Sequence, residues 1–142
     1  MLLGTHQHNI DAKGRLIIPS EFRSDLGERF CMCKGLDGCL FLFPLDEWER
    51  FVTALKALPM TKENRDITRY FLAGAAVAET DKQGRIVIPQ HLRDYAGLAG
   101  ASYITGVSNR ADVWNAEKWE KSNNAIDNEN IEQAFENIDF HF

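Results

Sequence analysis

The sequence predicts an α+β protein made of two tandem copies of one hairpin-and-helix unit, joined about a pseudo-twofold axis over a shared core. Three observations lead there. Asp11 to Arg23, DAKGRLIIPSEFR, returns seventy residues later as DKQGRIVIPQHLR, Asp81 to Arg93, with Asp, Gly, Arg, Ile, Pro and the closing Arg in register. An internal repeat of this kind sets the architecture before any local reading does. The register also runs past the motif, since Trp48 and Trp119 each follow a short apolar segment, CLFLF and ADVW, at an offset of seventy-one. Finally, the chain has 142 residues; two units of about seventy would each be marginal alone, so they are expected to share one core.

The elements follow in order. Leu2 to Ile10 reads as a strand, and D-A-K-G as a tight turn whose Asp bonds the turn backbone and whose Gly accepts positive φ. Arg15 to Ile18, rich in β-branched residues, is the return strand, stopped by Pro19. Ser20 is placed to cap a short helix, Glu21 to Leu26, that ends at Gly27. The second copy repeats the plan with strand Ala75 to Thr80, turn DKQG, strand Arg85 to Ile88, Pro89, helix Gln90 to Ala96 and Gly97. Each copy thus reads as a hairpin followed by a helix. Two more strands follow each unit, Arg29 to Lys34 with Cys39 to Phe43, and Ser102 to Val107 with Ala111 to Trp114.

Between the copies the pattern turns helical. Pro44 suits a first helical turn, and Leu45, Trp48, Val52, Leu55 and Leu58 make an apolar stripe that Pro59 breaks. Thr61 caps a second helix with Ile67, Tyr70 and Phe71 inward and Lys62, Arg65 and Arg69 on the other side. In the tail, Asn123 and Asn124 form a break and Asp127 a cap. Ile131, Phe135 and Ile138 then make a stripe for docking on the body or on a neighbouring subunit. The expected organisation is a first repeat at 1–60, a connecting helix at 61–74, a second repeat at 75–121 and an acidic helical tail at 122–142, all in one compact unit.

Composition narrows the function classes. No apolar run approaches the roughly 18 residues of a membrane span, and no secretory signal pattern opens the chain, so a cytoplasmic protein without membrane contact is expected. Cys31, Cys33 and Cys39 lie in apolar strand sequence and read as reduced core thiols. His6 and His8 could join them as ligands, but no second CxxC or HxxxH supports a metal, and neither metal nor cofactor is expected. The net charge of −5 is unevenly placed: up to Asn115 there are 14 Lys and Arg against 14 Asp and Glu, whereas Glu117 to Phe142 hold two Lys against seven acids. A neutral body can still bind DNA if its cations share one face.

The strongest constellation is the Asp-x-x-Gly-Arg pair, Asp11 with Arg15 and Asp81 with Arg85, set around Gly14 and Gly84. Two readings stand beside each other. Each Asp and Arg can form a fork that staples its own turn, or Arg15, beside Lys13, can project towards guanine, whose O6 and N7 match paired donors. Arg23 and Arg93 are expected to close their short helices and help hold the fold. Trp48 and Trp119 read as packed anchors, and Lys62, Arg65 and Arg69 as a solvated helix face, with phosphate contact as the alternative. No nucleophile elbow, Walker loop or metal dyad is present, so no enzyme is expected.

The doubled D-x-x-G-R-[LI]-x-I-P-x-x-[FL]-R signature resembles the MraZ family of bacterial transcriptional regulators, each copy looking like an AbrB or MazE type of DNA-binding half. The opening LLGTHQHNIDAKGRLIIPSEFR, GLDGCLFLFPLDEW, the linker ALPMTKENRDITRYFLAGA and GVSNRADVW carry the likeness, up to about Trp119. The resemblance implies a swapped-hairpin, β-barrel-like core and ring-shaped homo-oligomers, octamers or dodecamers. It also implies binding to double-stranded DNA at short direct repeats upstream of the division and cell-wall genes, in the nucleoid. It places Lys13, Arg15 and Arg85 at the DNA, with Asp11, Gly14, Asp81 and Gly84 supporting the turns. Gln83 stands where the first copy has Lys13, so the second turn is expected to carry one positive charge fewer. The competing reading is a protein-interaction module, antitoxin-like or scaffolding, on the same fold.

Overall fold

A computed structural model describes residues 1–140; the last two residues of the tail lie outside the described residues. The chain is mixed α+β. The first copy contributes β1 (Leu2–Ile10), β2 (Arg15–Ile17), α1 (Ser20–Leu26), β3 (Arg29–Lys34), β4 (Leu40–Pro44) and α2 (Leu45–Lys56). Helix α3 (Lys62–Leu72) follows. The second copy gives β5 (Ala76–Glu79), β6 (Arg85–Val87), α4 (Gln90–Ala96), β7 (Gly100–Ser108), β8 (Ala111–Asn115) and α5 (Ala116–Asn124), with α6 (Asn128–Glu136) in the tail.

The copies exchange strands. One antiparallel sheet runs β1-β7-β8-β4-β3-β5, an order that reads as its own reflection when each strand is replaced by its counterpart in the other copy. Strand β1 pairs with β7 over its whole length, from Leu2 opposite Ser108 to Ile10 opposite Gly100, and β5 pairs with β3. The expected hairpins are therefore not paired as hairpins. Strand β2 leaves β1 after the turn and pairs with β6 of the other copy in a separate two-stranded ribbon.

The barrel-like detail is not found among the described strands: β1 and β5 end an open sheet, and the ribbon stands apart from it. Two short strands halted by Pro19 and Pro89, which lack an N–H for any further ladder, do not bridge the edges. The ribbon is instead completed by Ile18 N–H donating to the Gly84 carbonyl at 2.9 Å and Ile88 N–H to that of Gly14 at 2.8 Å.

Two apolar clusters hold the layers. Leu16, Ile18, Phe22, Ile86, Ile88 and Leu92 fill the first beneath the ribbon, together with Leu40, Leu42 and Ile104 from the sheet. Each fully buried Leu or Ile stabilises the fold by about 1.5–3 kcal/mol, so the ribbon is held from below by both copies at once. The second cluster, on the other side, gathers Phe41, Phe43, Phe71 and Trp114, with Trp48, Phe51, Tyr70 and Trp119 packed against it. Trp48 and Trp119 are thus packed aromatic anchors. Helix α3 docks through Phe71 and through Tyr70, whose hydroxyl donates to the Gly35 carbonyl at 2.8 Å.

Thr61 and Asp127 cap as expected, accepting from Asn64 N–H at 3.1 Å and Asn130 N–H at 2.7 Å. Ser20 does not cap. Pro19 occupies the N-cap and Ser20 is the first helical residue, a start that suits the fixed φ of proline. The α2 stripe is also rotated from expectation: Leu45 and Leu58 are exposed, and Phe51 takes the inward place. Helix α6 forms, but Ile131, Phe135 and the following Ile138 stay exposed among the described residues, so the expected docking of this stripe on the body of the same chain is not seen there.

Candidate nucleic-acid interface

The Asp-to-Arg turns fold by local rules. The Asp11 carboxylate accepts from the Lys13 and Arg15 backbone N–H groups at 3.0 and 2.9 Å, and from Arg15 Nε at 2.6 Å. Asp81 does the same with Gln83 N–H, Arg85 N–H and Arg85 Nε, each at 2.9 Å. The Arg15 backbone N–H above all, helped by its guanidinium and by the Lys13 N–H, holds the Asp11 carboxyl below the usual carboxylate range. Arg85 and Gln83 act in the same way on Asp81. Gly14 and Gly84 close the turns at φ 81° and 77°, a region where a side chain is strained. The staple reading is thus realised in both copies. It uses Nε, the inner nitrogen of each guanidinium, and so leaves the terminal nitrogens for a ligand.

The ribbon then gathers these arginines on one face. Arg15 lies opposite Val87, Leu16 opposite Ile86 and Ile17 opposite Arg85. Alternation along a strand sends Leu16 and Ile86 down into the core, where both are buried. Arg15, Ile17, Arg85 and Val87 therefore share the outward side, the two arginines on a diagonal. Ile17 and Val87 are 42% and 58% exposed, a placement that sequence reasoning missed. The odd-numbered spacing within RLI and RIV was the available signal, but a two-residue period cannot be assigned a face before the partner strand is known.

Arg23 and Arg93 do more than close their own helices. Each donates Nε to the carbonyl just before its own proline, Arg23 to Ile18 and Arg93 to Ile88, both at 2.9 Å. Each guanidinium also lies against the turn glycine of the other copy, Arg23 on Gly84 and Arg93 on Gly14, in space a Cβ there would occupy. The repeated final Arg of the motif is thus a reciprocal latch, and the glycines are required by packing as well as by φ.

Charge on the turns differs from expectation. Lys13 is exposed in the first turn, and Lys82, one position earlier in the second, is exposed too, so the second turn has lost no charge. The α3 stripe is less free than a solvated face: Lys62 and Arg69 reach Asp66 at 2.5 and 3.3 Å, and Arg65 donates to the Met60 carbonyl. All three cysteines are buried thiols, and burial pushes Cys33 and Cys39 up to about 12. His6 rests edge-on against Phe22, ring centroids 5.1 Å apart, and no group of three His, Cys, Asp or Glu able to hold a metal ion occurs among the described residues.

A family model described as "MraZ protein, putative antitoxin-like" matches the chain twice, over residues 1–70 and 71–140. Among curated proteins, the one named Transcriptional regulator MraZ in Acetivibrio thermocellus is 56% identical over 121 residues, 84% of this chain and 85% of that protein. Its namesake in Caldanaerobacter subterraneus subsp. tengcongensis is 49% identical over 140 residues, covering 98% and 97% of the two chains. That of Thermoanaerobacter pseudethanolicus is 49% identical over 142 residues, covering 99% and 96%. With each of the two matches falling on one copy of the turn, ribbon strand and latch helix, the chain belongs to the MraZ family.

Proposed function

We propose that this protein is a sequence-specific DNA-binding transcriptional regulator that reads double-stranded DNA with the outward face of the β2·β6 ribbon. One observation carries the reading: Arg15 and Arg85 share that face with exposed Ile17 and Val87. A two-stranded ribbon fits the major groove, guanidinium groups match guanine O6 and N7, and apolar side chains match the thymine methyl. Lys13 beside one turn and Lys82 beside the other would meet phosphates. Asp11, Gly14, Asp81 and Gly84 act by holding the arginines. The relatives named as transcriptional regulators point the same way.

One ribbon contacts few base pairs, so tight binding requires several copies on repeated sites. A ring-like homo-oligomer on short direct repeats, upstream of the division and cell-wall genes and within the nucleoid, meets that need. No described helix is long and apolar enough to cross a membrane. The test is selection of duplexes from a random pool, followed by gel shifts of the winner at rising salt. Retention of a repeated motif, with affinity falling linearly on a log–log salt plot, is expected. A pool that never converges, or binding indifferent to salt, would overturn the reading.

A further inference from the structure

Helices α3 and α6 occupy like places, each following the helix that closes a copy, yet only α3 is seated. A nine-residue helix is marginal in water by itself. Helix α6 nonetheless exposes Ile131 and Phe135, with exposed Ile138 just after its end. Its own neighbour leaves them uncovered. Where α2 offers Phe51 and Leu55, the offset of seventy-one gives Ser122 within α5 and Ile126 just after it.

A surface of the right kind lies elsewhere on the molecule. Between the end of α2 and the outer side of α3 is a groove of about 350 Å³ with Leu55, Leu58, Pro59 and Met60 among its lining. Lys56, Arg65 and Arg69 also line it, and no carboxylate does. Helix α6 carries Glu129, Glu132 and Glu136 and no Lys or Arg, within a tail (122–142) of five acids and no Lys or Arg.

We propose that α6 of one copy seats its apolar side in the α2–α3 groove of a second copy of this chain. Apolar anchors spaced three and four apart entering a groove are the usual helix-in-groove contact, and the opposite net charges favour encounter. A second copy is the favoured occupant because the link from α5 to α6 is short and tied at both ends. Ala125 N–H donates to the Lys121 carbonyl at 3.3 Å, and Asp127 caps α6. Three residues extend at most about 10 Å, which limits how far α6 can swing from α5.

This contact gives the homo-oligomer proposed above its joint and does not depend on the DNA reading, whose failure would appear in gel shifts instead. The test co-expresses two differently tagged full-length chains, one with Met60→Cys and the other with Phe135→Cys, under mild oxidation. The native thiols are buried and so leave the introduced pair as the reactive one. A covalent dimer bearing both tags is expected, its yield falling severalfold in Lys56→Glu and in high salt. Light scattering should also show a smaller assembly for Phe135→Asp. Three results would overturn the proposal: no doubly tagged dimer, equal yield when Leu36→Cys outside the groove replaces Met60→Cys, or crosslinking only within single chains that carry both cysteines.

Discussion

Helices α3 and α6 end the two copies in different states, while the two turns are nearly identical. Phe71 of α3 is buried and Tyr70 is hydrogen-bonded to the sheet side of the molecule, whereas Phe135 of α6 is 45% exposed. At the other end, Asp11 and Asp81 hold the same three donors, and Arg23 and Arg93 close on each other's glycines. The difference follows from which parts the copies build jointly. Every ribbon contact uses one residue from each copy, so a change in one turn is felt by the other. Helix α3 is held across the copies too, its Tyr70 hydroxyl meeting that of Tyr95 and its Phe71 sharing a cluster with Trp114, whereas the exposed side of α6 is free to diverge.

The comparison is sharpened most by truncating the two phenylalanines. Phe71→Ala should cost about 3–5 kcal/mol in denaturant unfolding, since it empties the aromatic cluster under α3. Phe135→Ala, measured at concentrations too low for assembly, should cost less than about 0.5 kcal/mol. Similar losses at both would erase the contrast between seated and unseated helices.

The turn glycines come next. A Cβ at Gly14 meets the Ile88 carbonyl at 2.9 Å as well as Arg93, whereas at Gly84 the nearest atoms are all the Arg23 guanidinium, which can swing aside. Gly14→Ala should therefore cost about 2–4 kcal/mol and Gly84→Ala about 1–3 kcal/mol, read from paired melting curves. Equal costs would mean that the latch is stiffer at Gly84 than its side-chain character implies.

The smallest effect is with pH. In the folded chain Asp11 and Asp81 ionise at lower pH than in the unfolded chain. The folded state therefore binds fewer protons across that window, and stability rises with pH. The contribution is complete above the ordinary carboxylate value and is lost as pH falls through the depressed folded one. Asp11→Asn and Asp81→Asn should each flatten the acid limb of a melting-temperature profile by a similar small amount. An unaltered limb would show that the forks do not persist in solution.

Much of this was legible along the chain because it is local. The seventy-residue repeat, the caps at Thr61 and Asp127, strand Arg29–Lys34 and helix Gln90–Ala96 all depend on residues a few positions apart. The exchange of β1 and β5 between copies was not legible from hydrophobic pattern, because an apolar strand pairs equally well with its own hairpin partner or another. Arg23 over Gly84 was hidden for the same reason: each residue has an adequate local explanation, and only their meeting across copies reveals the latch. Lys82 was overlooked because aligning the copies residue by residue hides a charge displaced by one position.

The central claim is that one ribbon, built from both copies, presents Arg15 and Arg85 to DNA. It is tested most directly by measuring melting temperature and affinity for the selected duplex together, for Arg15→Ala, Arg85→Ala and the double variant. Each single change should weaken specific binding by about 1–3 kcal/mol per engaged motif, the double change by more, with melting temperatures close to that of the parent. Full affinity in the double variant, or binding lost only in step with unfolding, would contradict the claim and leave the arginines as staples alone.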